Sequence, residues 1–400
     1  MDKKNENLFH EDLRYYIRLM RYESFWFGNL DYLDNSHGGR FIKIYLECRW
    51  IVNMVLLFST STVLYFTEDF GLFNGTFIYG PLILMAAALV TIASHQGPEQ
   101  KILTDSLNQH FLTNCEPWMI NLRQKFLKPI KKSVEFYTWY NVVVCFFYVI
   151  VPIVLEAILH FGFNSIKSHH LLLPLPFTPL YGKSPGWGWK FYSITLANTF
   201  ACFELVQTLI SFISSYGLLT SYFVAELKIF KERVKSIDLF ASSIELDRQI
   251  KEIVTWHNRV IVVNNNMKIY FGLPCAFLSQ FVSVLLTLAL FTSIISTNIP
   301  VQVTYGAAVG LYIGISLFFN SLGQMVENEG DEIFWALYNL HWYECKPDVR
   351  KTINMMIRQA RRPMNIDYHG RTKMNLSNFM QILRSSYSYF ALLQSMTNKD

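Results

Sequence analysis

Residues 269–295 read IYFGLPCAFLSQFVSVLLTLALFTSII, an apolar run without a single Asp, Glu, Lys or Arg. A helix needs about 20 mostly apolar residues to cross the hydrocarbon core, so this run predicts a transmembrane span. Six further candidates lie around it: Ile44–Phe66, Phe77–Ser94, Phe136–Leu159, Phe191–Phe223, Val303–Leu322 and Leu376–Met396. The expected fold is therefore an all-α membrane protein with seven transmembrane helices. The last span is the least regular, because Arg384, Ser385, Ser386 and Ser388 interrupt it.

The basic residues orient the bundle. With the N-terminus inside, 29 of the 35 Lys and Arg residues fall in inner segments, four (Lys167, Lys183, Lys190 and Lys399) fall outside, and Arg49 and Arg384 lie within spans. Positive residues favour the cytoplasmic side, so a cytoplasmic N-terminus and an extracellular C-terminus are expected. The sequon Asn74-Gly75-Thr76 then lies in the first outer loop, where Asn74 is open to glycosylation, and Asn375-Leu376-Ser377 lies on the inner side and should be silent. None of the six cysteines lies in an outer loop, so no extracellular disulfide framework is expected.

Composition supports the membrane class and narrows the function. The chain is 52% hydrophobic and 16% charged, against about 25% charged in ordinary soluble domains. Its net charge of +5 sits on the inner face, where it meets the lipid bilayer, and calls for no nucleic acid. Met1 to Arg40 is polar and rich in charge and aromatics, so no cleavable signal peptide is expected before the first span, and its apolar stripe (Leu8, Phe9, Leu13, Tyr16, Ile17) suits the inner surface. No enzyme, metal or cofactor is expected. His160, His169 and His170 lack Cys or carboxylate companions at metal spacing, and Gly182-Lys183-Ser184 lacks the upstream glycine of a phosphate loop. Glu204, with Gln207 in the same span, is either a polar anchor in a cavity or ion path, or a structural hydrogen bond between helices.

The C-terminal third carries a resemblance. Gly323-Gln324-Met325-Val326-Glu327-Asn328-Glu329, Trp342-Tyr343 with Cys345, Arg362-Pro363, Leu376-Ser377-Asn378-Phe379 and Ser386-Tyr387-Ser388-Tyr389-Phe390-Ala391-Leu392-Leu393 together resemble the insect odorant receptor family. The second outer loop, with Leu173-Pro174-Leu175-Pro176-Phe177 and Trp187-Gly188-Trp189, agrees. The resemblance implies an odorant-gated, non-selective cation channel in the plasma membrane, a heterotetramer whose pore is made by the last helix of each subunit. Only about 40 residues separate spans four and five, which resembles a ligand-specific subunit instead of the longer-looped co-receptor. Its partners would be a small volatile odorant, the co-receptor and the permeating cations. Rival readings are a G-protein-coupled chemoreceptor, which needs the opposite orientation, and a secondary transporter, whose paired broken helices are not visible.

On this reading residues 1–43 form the cytoplasmic N-terminal segment, 44–322 hold helices one to six, 323–375 form an inner anchor region, and 376–400 hold the pore helix and a short outer tail. Residues at i, i+3, i+4 and i+7 share a helix face, so Ser385, Tyr389, Leu392 and Met396 form one stripe. An apolar ring closes a pore by dewetting. Leu392 and Met396 are thus the expected gate, with Gln394 nearby as a polar residue that enters the pore on opening. The pocket is expected in the outer half of the bundle, among Phe77, Tyr79 and Leu82; Tyr148, Val151 and Leu155; Tyr192, Thr199 and Phe203; and Tyr305 and Tyr312. So aromatic a lining suits a volatile, uncharged or weakly polar odorant held by shape and dispersion more than by directed bonds.

Overall fold

The computed structural model describes isolated positions between 84 and 139, with 116–129 continuous among them, and then residues 189–239, 241–295 and 299–397; along 189–211 it describes the backbone alone. Four long helices dominate: α1 Trp189–Lys235, α2 Ser243–Ile295, α3 Ile299–Tyr338 and, after a shorter α4 (Pro347–Ala360), α5 Leu376–Thr397. At 1.5 Å per residue, the 47 residues of α1 extend about 70 Å and the 53 of α2 about 80 Å. Both lengths exceed the hydrocarbon thickness. The expected spans are therefore the membrane portions of helices that run on beyond it.

Among the described residues α2 and α3 are long and apolar enough to cross a membrane. α3 packs against α1 and α2, and α5 lies mainly along α2 with a smaller contact to α3. Tyr216 of α1 is fully buried where the three long helices meet. Its hydroxyl donates to the Phe319 carbonyl at 3.2 Å, and its ring meets Phe271 edge-on at 5.1 Å and Phe319 at 4.6 Å. Buried aromatic rings in this arrangement add about 0.5–1.5 kcal/mol per pair beyond area burial.

Between α4 and α5 the chain forms a short antiparallel hairpin, β1 Asp367–Tyr368 with β2 Thr372–Lys373, turned by His369 and Gly370 at positive φ. The sequence showed no strand pattern, and two-residue strands are too short to display a period of two. Glycines on the long helices let this segment approach. A Cβ on Gly272 would sit 2.6 Å from the Asp367 carbonyl oxygen, and one on Gly323 would run into the Met374 carbonyl. Lys268 fixes the hairpin from α2 through Asp367 at 3.0 Å. α4 begins with Pro347 at its first turn, a favoured position. It buries Val349, Ile353, Met356 and Ala360, the first two against Leu246 and Ile250 at the start of α2.

Candidate functional site

α5 is capped by Asn375, whose side-chain oxygen accepts the Asn378 N–H at 3.0 Å while its amide donates to Glu327 at 3.2 Å. The second sequon thus carries structural hydrogen bonds. Above the cap the helix has two characters. One side is buried through Ile382 and Ser386. Ser386 Oγ lies 2.8 Å from the Ile382 carbonyl and 3.1 Å from that of Ser283, and Thr287 donates to the Ser386 carbonyl at 3.3 Å. The other side is open: Tyr389, Leu392 and Met396 are 54%, 58% and 63% exposed.

Of the residues expected to line a pore, Tyr389, Leu392 and Met396 are on the open side of α5 and Ser385 is half-buried at its edge. Gln394 is exposed, but two residues along a helix turn it about 200° from Leu392, to the opposite side. Ser386, which the sequence left among the residues interrupting the span, points into the protein.

Sequence reasoning missed the network that seats α5. Asn378 donates to Asn320 Oδ1 at 2.9 Å and lies 3.4 Å from Ser279 Oγ, while Asn320 donates to the Ser316 carbonyl at 2.8 Å. Gln324 Oε1 accepts the Leu376 N–H at 3.2 Å. A signal existed. Ser279, Ser283 and Thr287 on α2, and Ser316, Asn320 and Gln324 on α3, each follow i, i+4, i+8, which places three polar groups on one helix face.

Of the expected pocket residues, Tyr305 and Tyr312 are 5% and 8% exposed on α3. The Tyr305 hydroxyl is buried and has no hydrogen-bond partner among the described residues. Phe77, Tyr79, Leu82, Tyr148, Val151 and Leu155, together with Asn74, lie outside the described residues. Tyr192, Thr199, Phe203, Glu204 and Gln207 belong to α1, with their side chains outside the description. A cavity of about 320 Å³ lies elsewhere, at the opposite end of α3 from Tyr305, lined among others by Lys235, Asp238, Asn339 and His341.

Ion pairs lock the C-terminal end of α1 to that of α3. Lys231 of α1 lies 2.8 Å from Glu329 and 2.5 Å from Glu332 of α3, and Lys228 lies 3.6 Å from Glu329. Burial works against the Lys231 charge, but the hydrogen bonds and charges of the two glutamates outweigh it and raise its pKa. Deeper in, Glu226 meets Arg123 at 3.1 Å and accepts the Trp256 indole N–H at 2.8 Å. Burial nevertheless pushes the Glu226 carboxyl up, against the opposing pull of Arg123. The motif around Glu327 and Glu329 is thus occupied with helix-to-helix contacts.

A family model, 7tm Odorant receptor, matches residues 97–387. The chain belongs to that family. It is 25% identical over 199 residues to Odorant receptor Or2 of Anopheles gambiae, covering 47% of this chain and 52% of that one. It is 30% identical over 121 residues to Odorant receptor 67b of Drosophila melanogaster, covering 29% and 28%, and 26% identical over 210 residues to Odorant receptor 10 of Aedes albopictus, covering 48% and 55%. The chain thus spans about half the length, or less, of these curated relatives. The fold resembles the insect olfactory receptor OR5 from Machilis hrabei in complex with eugenol, with a TM-score of 0.78 at 13% identity over 96% of this chain and 99% of that one. A second OR5 structure gives 0.73 at 14% identity, over 96% and 98%. The seven-helix, all-α class agrees with the sequence reading, and the chain is a multi-pass plasma-membrane protein of a receptor family, not an enzyme.

Proposed function

We propose that this chain is the odorant-binding subunit of a ligand-gated, non-selective cation channel whose central pore is lined by α5. The observation that carries this reading is the division of α5 into a seated polar side, through Asn378 and Ser386, and an open stripe of Tyr389, Leu392 and Met396. In a lone subunit lipid would cover that stripe. In an assembly around an axis the same residues meet their counterparts and form an apolar ring, which excludes water when narrow. The buried, unpartnered hydroxyl of Tyr305 supports a ligand site on α3, since such a group costs free energy unless something bonds it.

The N-terminus lies in the cytosol and the C-terminus outside, on the distribution of Lys and Arg. The co-receptor is the partner, because the connection between α1 and α2 is short, Lys235 to Ser243. Expression in cells with and without the co-receptor, under a panel of volatiles that includes eugenol, tests the reading. A cation current that needs both subunits is expected; strong current from this chain alone overturns the subunit assignment, and odorant binding without current overturns the channel.

A further inference from the structure

Arg384 stands on α5 about 12 Å above its start at Leu376, within the stretch read as the seventh span. An arginine is always charged. At membrane depth such a residue normally faces the bundle interior or water. Here the interior side of α5 is occupied by Ile382 and Ser386, and Arg384 is exposed. α5 contains no Asp or Glu. Among the described residues the contact to Arg384 is a hydrogen bond from Ser388 to its carbonyl, which leaves the guanidinium without an ion-pair partner.

Its neighbours on the helix surface are also polar and open. Gln381 at i−3, Ser388 at i+4 and Ser395 at i+11 share its side, and all are exposed. A side turned to lipid would be apolar for most of its length; this one alternates polar groups with Ala391 and Leu392. Such a side suits water.

We infer that Arg384 places a fixed positive charge on the wall of the conduction path, about 12 Å to the inner side of Leu392, and lowers the channel's preference for divalent over monovalent cations. The inference rests on the reading that α5 lines the pore. Coulomb repulsion doubles with the charge of the ion. The permeating salt screens it beyond about 8 Å, so Arg384 discriminates only where the ion passes close to it.

The test is the reversal potential with calcium outside and sodium inside, in cells expressing the chain with the co-receptor and stimulated by a mixture of short-chain alcohols, esters and phenols. Arg384→Gln is expected to raise the calcium-to-sodium permeability ratio by about twofold or more, Arg384→Glu to raise it further, and Arg384→Lys to hold the original ratio. An unchanged ratio in both Arg384→Gln and Arg384→Glu overturns the inference. Labelling with a charged, membrane-impermeant maleimide, scored above the wild type's own cysteines, separates this failure from failure of the pore reading. Label at Leu392→Cys and Arg384→Cys but not at buried Ser386→Cys supports both. Label at Leu392→Cys alone means that Arg384 reaches lipid headgroups and overturns the inference only, while no label at either position overturns both.

Discussion

The Asn378 side chain at the start of α5 donates to Asn320 Oδ1 on α3 across 2.9 Å. The helix that carries Tyr305 and Tyr312 is thereby bonded to the helix that carries Leu392 and Met396. Asn320 is itself held by the Ser316 carbonyl, so the bond joins two fixed partners. On the proposed function, this bond is where a displacement of α3 would reach α5.

Asn378→Ala strips Asn320 Oδ1 of its donor, and a buried acceptor left unsatisfied costs about 1–3 kcal/mol. We expect a lower melting temperature of the detergent-solubilised protein and a shifted odorant dose–response. The Asn378→Ala, Asn320→Ala double variant should lose less than the sum of the two. Strict additivity would show that the two side chains do not work as a pair.

Gly323→Ala must displace the Met374 backbone, and overpacking of this kind costs about 1–3 kcal/mol. Gly314→Ala, which meets nothing within 4 Å, is the control and should be neutral to slightly stabilising. Thermal unfolding of the two variants side by side checks the close approach of the hairpin to α3, and equal stability would refute it.

Among the described residues hydropathy marked where α5 begins, at Leu376, where the apolar run starts; the expected spans Ile44–Phe66, Phe77–Ser94 and Phe136–Leu159 lie outside the described residues or nearly so. The extensions of α1 and α3 beyond the apolar runs were not readable that way, because Lys228, Lys231, Glu329 and Glu332 break those runs although they bind one another across α1 and α3. Charge signals the end of a span, not of a helix. The stripe on α5 followed from the 3.6-residue period, but a period states which residues share a face and not where the face points. Ser386 turned inward and Ser388 outward because α2 offers Ser283 and Thr287 at that level, which only the packing reveals.

Arg123→Ala leaves Glu226 buried without its cation, which typically costs about 3–5 kcal/mol. The pH dependence has a definite sign. Glu226 already has a raised pKa from burial; losing Arg123 raises it further, and a raised carboxyl stabilises the fold at low pH and loses that contribution as pH rises through its folded value. The penalty should therefore shrink in mildly acidic buffer, as read by thermal unfolding; a penalty that grows on acidification would contradict the burial of this pair.

Tyr305→Phe removes a buried hydroxyl that has no partner among the described residues, so the ligand-free fold should be as stable or somewhat more stable. Odorant sensitivity should change, by about tenfold for each 1.4 kcal/mol of lost ligand contact. Alanine at Tyr148, Phe203 or Tyr312 should shift sensitivity while leaving surface expression intact. Unaltered dose–response curves in all four variants would move the pocket elsewhere.

The most direct measurement is the basal current, recorded without odorant, of Leu392→Ser and Met396→Ser expressed with the co-receptor. If the exposed Leu392 and Met396 close the pore as an apolar ring, a polar side chain lets water persist there and the leak rises, short of a fully open channel because the co-receptor contributes its own ring. Leu393→Ser, on the less exposed side of the helix, should leak less. Equal leak from all three would signify a destabilised helix, and unchanged basal current and ion selectivity in both gate variants would remove α5 from the pore.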